Sequence, residues 1–256
     1  MMHLTAIVLT HNESEQIADC IKTLRFADRV IVFDSFSTDD TVAIAQRAGA
    51  DIFQHEFLNY SEQRNAALDA ADEMTDWVLF VDADERVTDA LAEEIRQKIN
   101  FPEYAGWRIP RHNYIFGILT RGAGWYPDYQ TRLLRVGQAY YDTRRKVHEV
   151  VKLYGSEGAI RHPLIHYNYR DLQQFKDKQE HYARFDAESL YSQGVKPKQR
   201  NLVLQPIRQF YWRFITLRGY GDRWHGLRLS LLMAWYEYRK YQLLASRWRK
   251  SHKPFS

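Results

Sequence analysis

In the segment WVLFVDADER (77–86), five apolar residues run straight into Asp82, Asp84 and Glu85. Carboxylates this close raise one another's pKa unless a cation or a donor-rich ligand offsets them. Asp82 and Asp84 stand two apart, so in an extended segment both face the same side and can meet one ligand. Magnesium and manganese suit such a pair, because they take one or two protein carboxylates and leave their other positions to phosphate oxygens and water. In the competing reading Asp84 caps the following helix and Asp82 is a solvated loop acid. Other apolar runs also end in polar residues. Thr10, His11, Asn12 and Glu13 follow LTAIVLT, and Asp34, Ser35, Ser37 and Asp39 follow RVIVFD. A strand-end Asp34 can hydrogen-bond a base or a ribose, although an isolated Asp there is equally an Asx-turn residue. His162 and His166 in HPLIHY share one side of an extended segment. Each is a candidate metal ligand or a hydrogen-bonded core histidine. Arg64, Arg132 and Arg135 are candidates for phosphate contact or for surface ion pairs.

The elements that must position these groups are legible from hydrophobic pattern. LTAIVLT (4–10), RVIVFD (29–34), ADIFQHEF and WVLFV read as buried strands, separated by helical stretches. Asn12 with Glu15 reads as a capping box ahead of Ile17, Cys20, Ile21 and Leu24 on one helical face, Gly49 stops the second helix, and Thr88 caps the fourth. Apolar strands alternating with helices imply a mostly parallel sheet covered on both faces, whose ligands bind outside the carboxyl ends of the strands. Residues 104–170, rich in aromatics and Arg, read as antiparallel or irregular structure laid over that crevice. From Asp171 helical periodicity returns, with Leu172, Phe175, Tyr182, Phe185 and Leu190 as the expected face, followed by helices over roughly 202–217 and 224–249.

AIVLTHNE, VIVFDSFSTDDT, QRNAALDAA and WVLFVDADE, in this order and spacing, resemble the nucleotide-binding half of family 2 glycosyltransferases with the GT-A fold. The similarity continues through WYPDYQTRLLR, KVHE, HPLIHYNYRDLQQFKDKQEHYA and RGYGD, toward the lipopolysaccharide core β-1,4-glucosyltransferase group. It departs at Gly221 and Arg223, where a Leu and a Gly would be expected. The resemblance implies an α/β chain with a GT-A catalytic domain over 1–170, of which 1–100 binds nucleotide and 101–170 faces the acceptor, and a basic helical extension over 171–256. It implies a nucleotide-sugar site of Thr10, Asn12, Glu13, Asp34, Ser35, Asp39, Arg64 and Asp82, and an Mg²⁺ or Mn²⁺ ion on Asp84 and His166. The implied donor is UDP-glucose and the implied acceptor a lipopolysaccharide inner-core sugar. An inverting transfer also needs a base across the sugar from the diphosphate. Glu149 in KVHEVV is the favoured candidate, with Asp128 in YPDY as the alternative. Glu149 can equally serve as ion-pair partner to Arg144 or Arg145.

Charge divides unevenly. From Lys196 onward fourteen Lys or Arg face only Asp222 and Glu237, a local balance of +12 within a net charge of +4. Such a tail can lie on an anionic membrane surface, track nucleic acid, or be a solvated helical face. The reading adopted is a protein peripheral on the cytoplasmic face of the inner membrane that binds no nucleic acid. Cys20 is the only cysteine, which excludes a disulfide framework and a thiolate metal cage. The opening MMHLTAIVLTHNESE reads as a strand entering a helix, without the features of a targeting segment. Two other functions compete. A sugar-phosphate nucleotidylyltransferase would want a Gly-rich phosphate loop, and LTHNESEQ has no glycine. A nucleic-acid-binding module would leave the strand-end acids without a purpose.

Overall fold

The structure, a computed structural model, describes residues 2–71, 74–143 and 150–251. The chain forms two compact units, Met1–Arg111 with Asp128–His166, and His112–Pro127 with Tyr167–Ser256. The insertion 112–127 therefore belongs with the helical part of the chain.

The first unit opens with β1 (Leu4–Thr10), α1 (Ile17–Lys22), β2 (Arg29–Asp34), α2 (Thr41–Arg47), β3 (Asp51–Gln54), α3 (Tyr60–Asp69) and β4 (Trp77–Asp82). There follow β5 (Glu85–Arg86), α4 (Asp89–Lys98) and β6 (Tyr104–Ile115), which runs on toward β7 (Ile118–Leu119) in the second unit. The first unit then resumes with β8 (Tyr129–Arg135), β9 (Ala139–Tyr141), β10 (Val151–Leu153), β11 (Ser156–Ala159) and β12 (Leu164–Tyr169), whose last residues enter the second unit.

The central strands run β3-β2-β1-β4, all parallel, with Thr10 opposite Asp34 and Leu9 opposite both Phe33 and Asp82. Their carboxyl ends are thus level. Alternation divides the core into two layers. Ala6, Val8, Val32, Leu79 and Val81 pack with Ile17, Cys20, Leu91 and Ile95 of α1 and α4, while Ile7, Ile31, Val78 and Phe80 pack with Ala67 of α3. Each buried Val, Leu, Ile or Phe among them contributes about 1.5–3 kcal/mol, so both layers favour this register. Of the stretch 104–170, residues 104–111 and 128–135 are antiparallel as expected, but they extend the sheet: β8 pairs with β4, and β6 with β8, burying Trp107, Ile109, Leu133 and Leu134.

Two local expectations change. Asn12 does not cap α1, whose N-cap is Gln16 without a side-chain bond. Asn12 takes a φ of 56° and turns its side chain toward Thr38. Thr88 does cap α4, its hydroxyl accepting from Leu91 N at 3.3 Å, so Asp84 is not the cap.

The second unit contains α5 (Leu172–Ser192), α6 (Asn201–Tyr211), a π-helical turn (Trp212–Thr216), a short 3₁₀ turn (Gly219–Asp222) and α7 (Arg223–Ser251). α7 packs against both α5 and α6. Its core is Ile115, Tyr169, Phe175 and Leu229. The buried face of α5 is Phe175, Gln179, Ala183 and Ala187; Tyr182 and Phe185, expected inside, are exposed. Small residues at four-residue spacing let the neighbouring helix approach, which a count of large apolar residues misses. At RGYGDRWHG the backbone crosses itself closely. A Cβ on Gly226 would stand 1.8 Å from the Gly219 carbonyl oxygen. Arg223 has φ 53° and ψ −129°, a conformation that glycine favours, at one of the two positions where the resemblance departs. Among the described residues no helix is long and apolar enough to cross a membrane.

Candidate active site

The loops after β1 and β2 are stitched together by side chains. Asp34 is fully buried and accepts from Thr10 Oγ1 (3.1 Å), Ser37 N (2.9 Å), Ser37 Oγ (2.5 Å) and Gln54 Nε2 (3.2 Å). A carboxylate offers about four lone-pair sites, so the protein occupies all of them. Asp34 therefore shapes the loop by holding Thr10, Ser37 and Gln54 together. Asn12 Oδ1 accepts from Thr38 N (2.8 Å), and Asn12 N donates to Ser37 Oγ (2.9 Å). Glu13 N donates to Thr41 Oγ1 (2.8 Å), and Asp39 accepts from Thr41 N (3.0 Å) and Ser14 N (3.2 Å). The Thr41 hydroxyl bond, more than burial opposes it, holds the Asp39 carboxyl well below the usual range. Ser35 accepts from Gln63 Nε2 at 3.0 Å, which ties the loop to α3. These residues form one preorganised rim at the carboxyl edge of β1 and β2.

The acids after β4 take separate partners. Asp82 is bonded by Arg132 Nη2 and lies 3.5 Å from Arg64 Nη2. Burial pushes its carboxyl up, but the guanidiniums of Arg132, Arg64 and Arg111 outweigh this and hold it well below the usual carboxylate range. Glu85 is fully buried, accepts from Asp82 N at 3.0 Å, and sits 3.4 Å from Arg111 and 3.7 Å from Arg132. Asp128 receives Arg111 through both Nε (2.8 Å) and Nη2 (2.7 Å). Three arginines thus answer three carboxylates. The cation that the sequence demanded beside these acids is in large part the protein's own, delivered by β6, β8 and α3. Arg86, which sequence reasoning passed over, ties the turn to the start of α1 by donating to Ala83 O (2.8 Å) and Gln16 Oε1 (2.9 Å).

Asp84 is outside that balance. Its Oδ2 lies 3.4 Å from His166 Nε2, because β12 pairs antiparallel with β5 and sets His166 opposite Glu85. The candidates Asp84 and His166 therefore meet. His162 does not join them: its Nδ1 is 2.8 Å from Glu94 Oε2, and Glu94 also accepts the backbone N–H of Arg161 and His162. Against burial, those N–H bonds hold the Glu94 carboxyl below its ordinary value. Arg135 is likewise taken, donating to Pro102 O at 2.6 Å.

A carboxylate oxygen and an imidazole nitrogen this close are a chemically sound donor pair for a divalent ion, which would bring phosphate oxygens and water as further ligands. Among the described residues no group of three or more His, Cys, Asp or Glu could hold a metal, so the protein's share is the pair. Arg64 and Arg132 also line a cavity of about 360 Å³ together with Tyr129, Tyr141 and Glu157. Arg132 Nε is buried without a hydrogen-bond partner among the described residues, leaving a donor open. Glu149 lies outside the described residues.

A family model described as glycosyl transferase family 2 matches residues 5–149. The chain belongs to this family. It is a glycosyltransferase, and the mostly parallel, helix-covered sheet is that of the GT-A fold. This family 2 glycosyltransferase is 29% identical to the lipopolysaccharide core biosynthesis glycosyltransferase LpsC of Rhizobium meliloti, covering 94% of each chain. An uncharacterized glycosyltransferase of Rickettsia felis is 27% identical over 91% of this chain and 86% of that one. Among solved structures, S. aureus TarS 1-349 matches with a TM-score of 0.49 and 14% identity over 99% of this chain and 93% of that one. Glucosyl-3-phosphoglycerate synthase of Mycobacterium tuberculosis, in complex with Mn²⁺, UDP and glucosyl-3-phosphoglycerate, matches with a TM-score of 0.38 and 21% identity. That match covers 43% of this chain and 44% of the other, less than half of its length.

Proposed function

We propose that this glycosyltransferase transfers glucose from UDP-glucose, with inversion, to an inner-core sugar of lipopolysaccharide at a membrane surface. The observation that carries the reading is the meeting of Asp84 and His166 beyond the carboxyl end of β4, where sheets of this kind bind ligands. The name of the Rhizobium relative supports the acceptor class, and the sequence resemblance supports the donor.

In this reading Asp84 and His166 hold Mg²⁺ or Mn²⁺, which when bound stabilises the negative charge of the leaving diphosphate. The rim of Thr10, Asn12, Glu13, Ser35 and Asp39, kept in shape by Asp34, receives the nucleoside. Asp82 is kept ionised by Arg132 and Arg64, and the two arginines together present positive charge toward the phosphates. The acceptor hydroxyl oxygen attacks the anomeric carbon from the face opposite the diphosphate. A new C–O bond forms as the bond to the β-phosphate oxygen breaks, and the hydroxyl proton passes to a carboxylate. Glu149 is assigned that role. Asp128 is the weaker candidate because Arg111 already engages its carboxylate through both Nε and Nη2.

A thermal-shift screen of nucleotide sugars with Mg²⁺ or Mn²⁺ tests the reading. UDP-glucose with either ion should raise the melting temperature more than any other nucleotide sugar. A larger shift with a non-uridine donor, or none with any donor, would overturn the donor assignment.

A further inference from the structure

The second unit exposes more large apolar side chains than solvent alone accounts for. α6 buries none of its residues, and Val203, Leu204, Ile207 and Tyr211 fall at i, i+1, i+4 and i+8 on one exposed face. Trp212 and Ile215 continue the exposure through the π-helical turn. On α7, Trp224, Leu231 and Trp235 repeat at i, i+7 and i+11 and are 78%, 54% and 58% exposed, while Leu229, Ala234 and Leu244 face inward. Exposed apolar surface of this extent on a soluble fold marks an interaction site.

Its charge says with what. Between Gly194 and Tyr236 the chain carries eight Lys or Arg and one acid, Asp222. That one carboxylate is already engaged, accepting from Arg121 N (3.0 Å) and Gly122 N (2.6 Å). Arg208, Arg218 and Arg223 are exposed and have no ion-pair partner among the described residues. The end of α7 differs. Arg239 pairs with Glu180 (3.1 Å), Lys240 with Glu237 (2.7 Å) and Arg247 with Glu188 (3.0 Å), so these cations serve packing on α5 or within the helix.

We propose that α6, the π-helical turn and the first half of α7 form a membrane-docking face, with Ile207, Tyr211, Trp224 and Trp235 entering the interface and Arg208, Arg218 and Arg223 meeting anionic headgroups. Aromatic and aliphatic side chains with flanking cations and no free acid are the composition that binds the boundary of an anionic bilayer. The face lies ahead of the chain end on which the total basic charge first directs attention. The inference rests on the reading of a membrane-borne acceptor.

Co-sedimentation with phosphatidylcholine vesicles, with and without phosphatidylglycerol, tests it on the full chain. Wild-type protein should bind the anionic vesicles preferentially, and salt should weaken binding because headgroup attraction falls off within a Debye length of ~8 Å at physiological ionic strength. Ile207→Ser/Tyr211→Ser/Trp224→Ser should abolish sedimentation, and Arg208→Gln/Arg218→Gln should weaken it by about tenfold or more. Arg247→Gln, which removes a cation already paired with Glu188, should bind as wild type. Should the triple variant fail to fold, Trp224→Ser alone, at the most exposed of these positions, should still reduce binding. Equal binding to both vesicle types, undiminished binding by the α6 variants, or loss confined to the Arg247 variant would overturn the proposal. So would self-association through this face without vesicle binding. The UDP-glucose thermal shift read on the same samples separates the two failures. Its absence sinks the donor reading alone, and absent vesicle binding with an intact shift sinks the docking face alone.

Discussion

Asp84 Oδ2 and His166 Nε2 stand 3.4 Å apart although one follows β4 and the other lies on β12. The β5–β12 pairing brings them together, and neither belongs to the hydrophobic clusters of the core. Asp84→Ala and His166→Ala should therefore each lower turnover by about 10²-fold or more, since charge stabilisation at a leaving group contributes several kcal/mol. Circular dichroism should be unchanged. Near-wild-type turnover in either variant would remove that residue from the metal pair.

Glu85 is fully buried between Arg111 and Arg132. Glu85→Ala leaves two guanidiniums short of an anion, at a cost of about 3–5 kcal/mol. For a chain of this size that corresponds to a fall in melting temperature of roughly 10 °C. Thermal unfolding of the purified variant measures it, and a fall of only about 1–2 °C would mean that water replaces the carboxylate there.

Glu149→Gln should lose about 10²-fold in turnover while its affinity for UDP stays at the wild-type level, as expected for loss of a general base. Asp128→Asn should instead weaken the hold on Arg111 and lower the melting temperature. Inactivity of Asp128→Asn beside a fully active Glu149→Gln would exchange the two roles.

Asp28 carries a pH-dependent share of stability. Arg96 donates to both of its carboxylate oxygens at 2.9 Å and Leu4 N donates at 2.8 Å. The Arg96 bonds outweigh burial and lower its pKa to about 2. A folded-state pKa below the unfolded value means that the contribution is present above the unfolded pKa and is lost as pH falls through the folded one. Asp28→Asn should therefore melt below wild type at pH 7, by a small margin because the pair is partly solvated. The two melting curves should converge between about pH 4 and pH 2. A gap that stays constant down to pH 2 would show that the pair is not responsible.

Arg223 holds φ 53° and ψ −129° at the start of α7. Strain of this type costs an L-residue about 1–3 kcal/mol, part of which glycine returns through a looser unfolded chain. Arg223→Gly should raise the melting temperature by roughly 2–4 °C. A decrease would mean that the arginine side chain stabilises the joint by more than its backbone strains it.

Much of the frame is legible in the sequence. The apolar runs became β1, β2 and β4, Thr88 caps α4, Gly49 follows α2, and Ile17, Cys20, Ile21 and Leu24 are buried together. What escaped depends on pairings between distant segments. The counter-ions of Asp82, Glu85 and Asp128 come from β6, β8 and α3, and no local pattern announces that β8 will lie beside β4. Asn12 looked like a cap because its type favours caps, but the facing loop offers its side chain Thr38. Asp34 is legible as a strand-end acid, but the four protein donors that hold it, from Thr10, Ser37 and Gln54, are not. The C-terminal cations form one basic group in the sequence, whereas in the structure α5 claims Arg239 and Arg247 through Glu180 and Glu188.

The most direct test of the account is the release of UDP from UDP-glucose in the presence of truncated lipopolysaccharide acceptor, followed with Mg²⁺ or Mn²⁺ and again in chelator, for wild type, Asp84→Ala and His166→Ala. The wild type should give acceptor-dependent release and a β-linked product, abolished by chelator and by either substitution. Turnover that is indifferent to chelator, or a product that retains the α configuration, would contradict it.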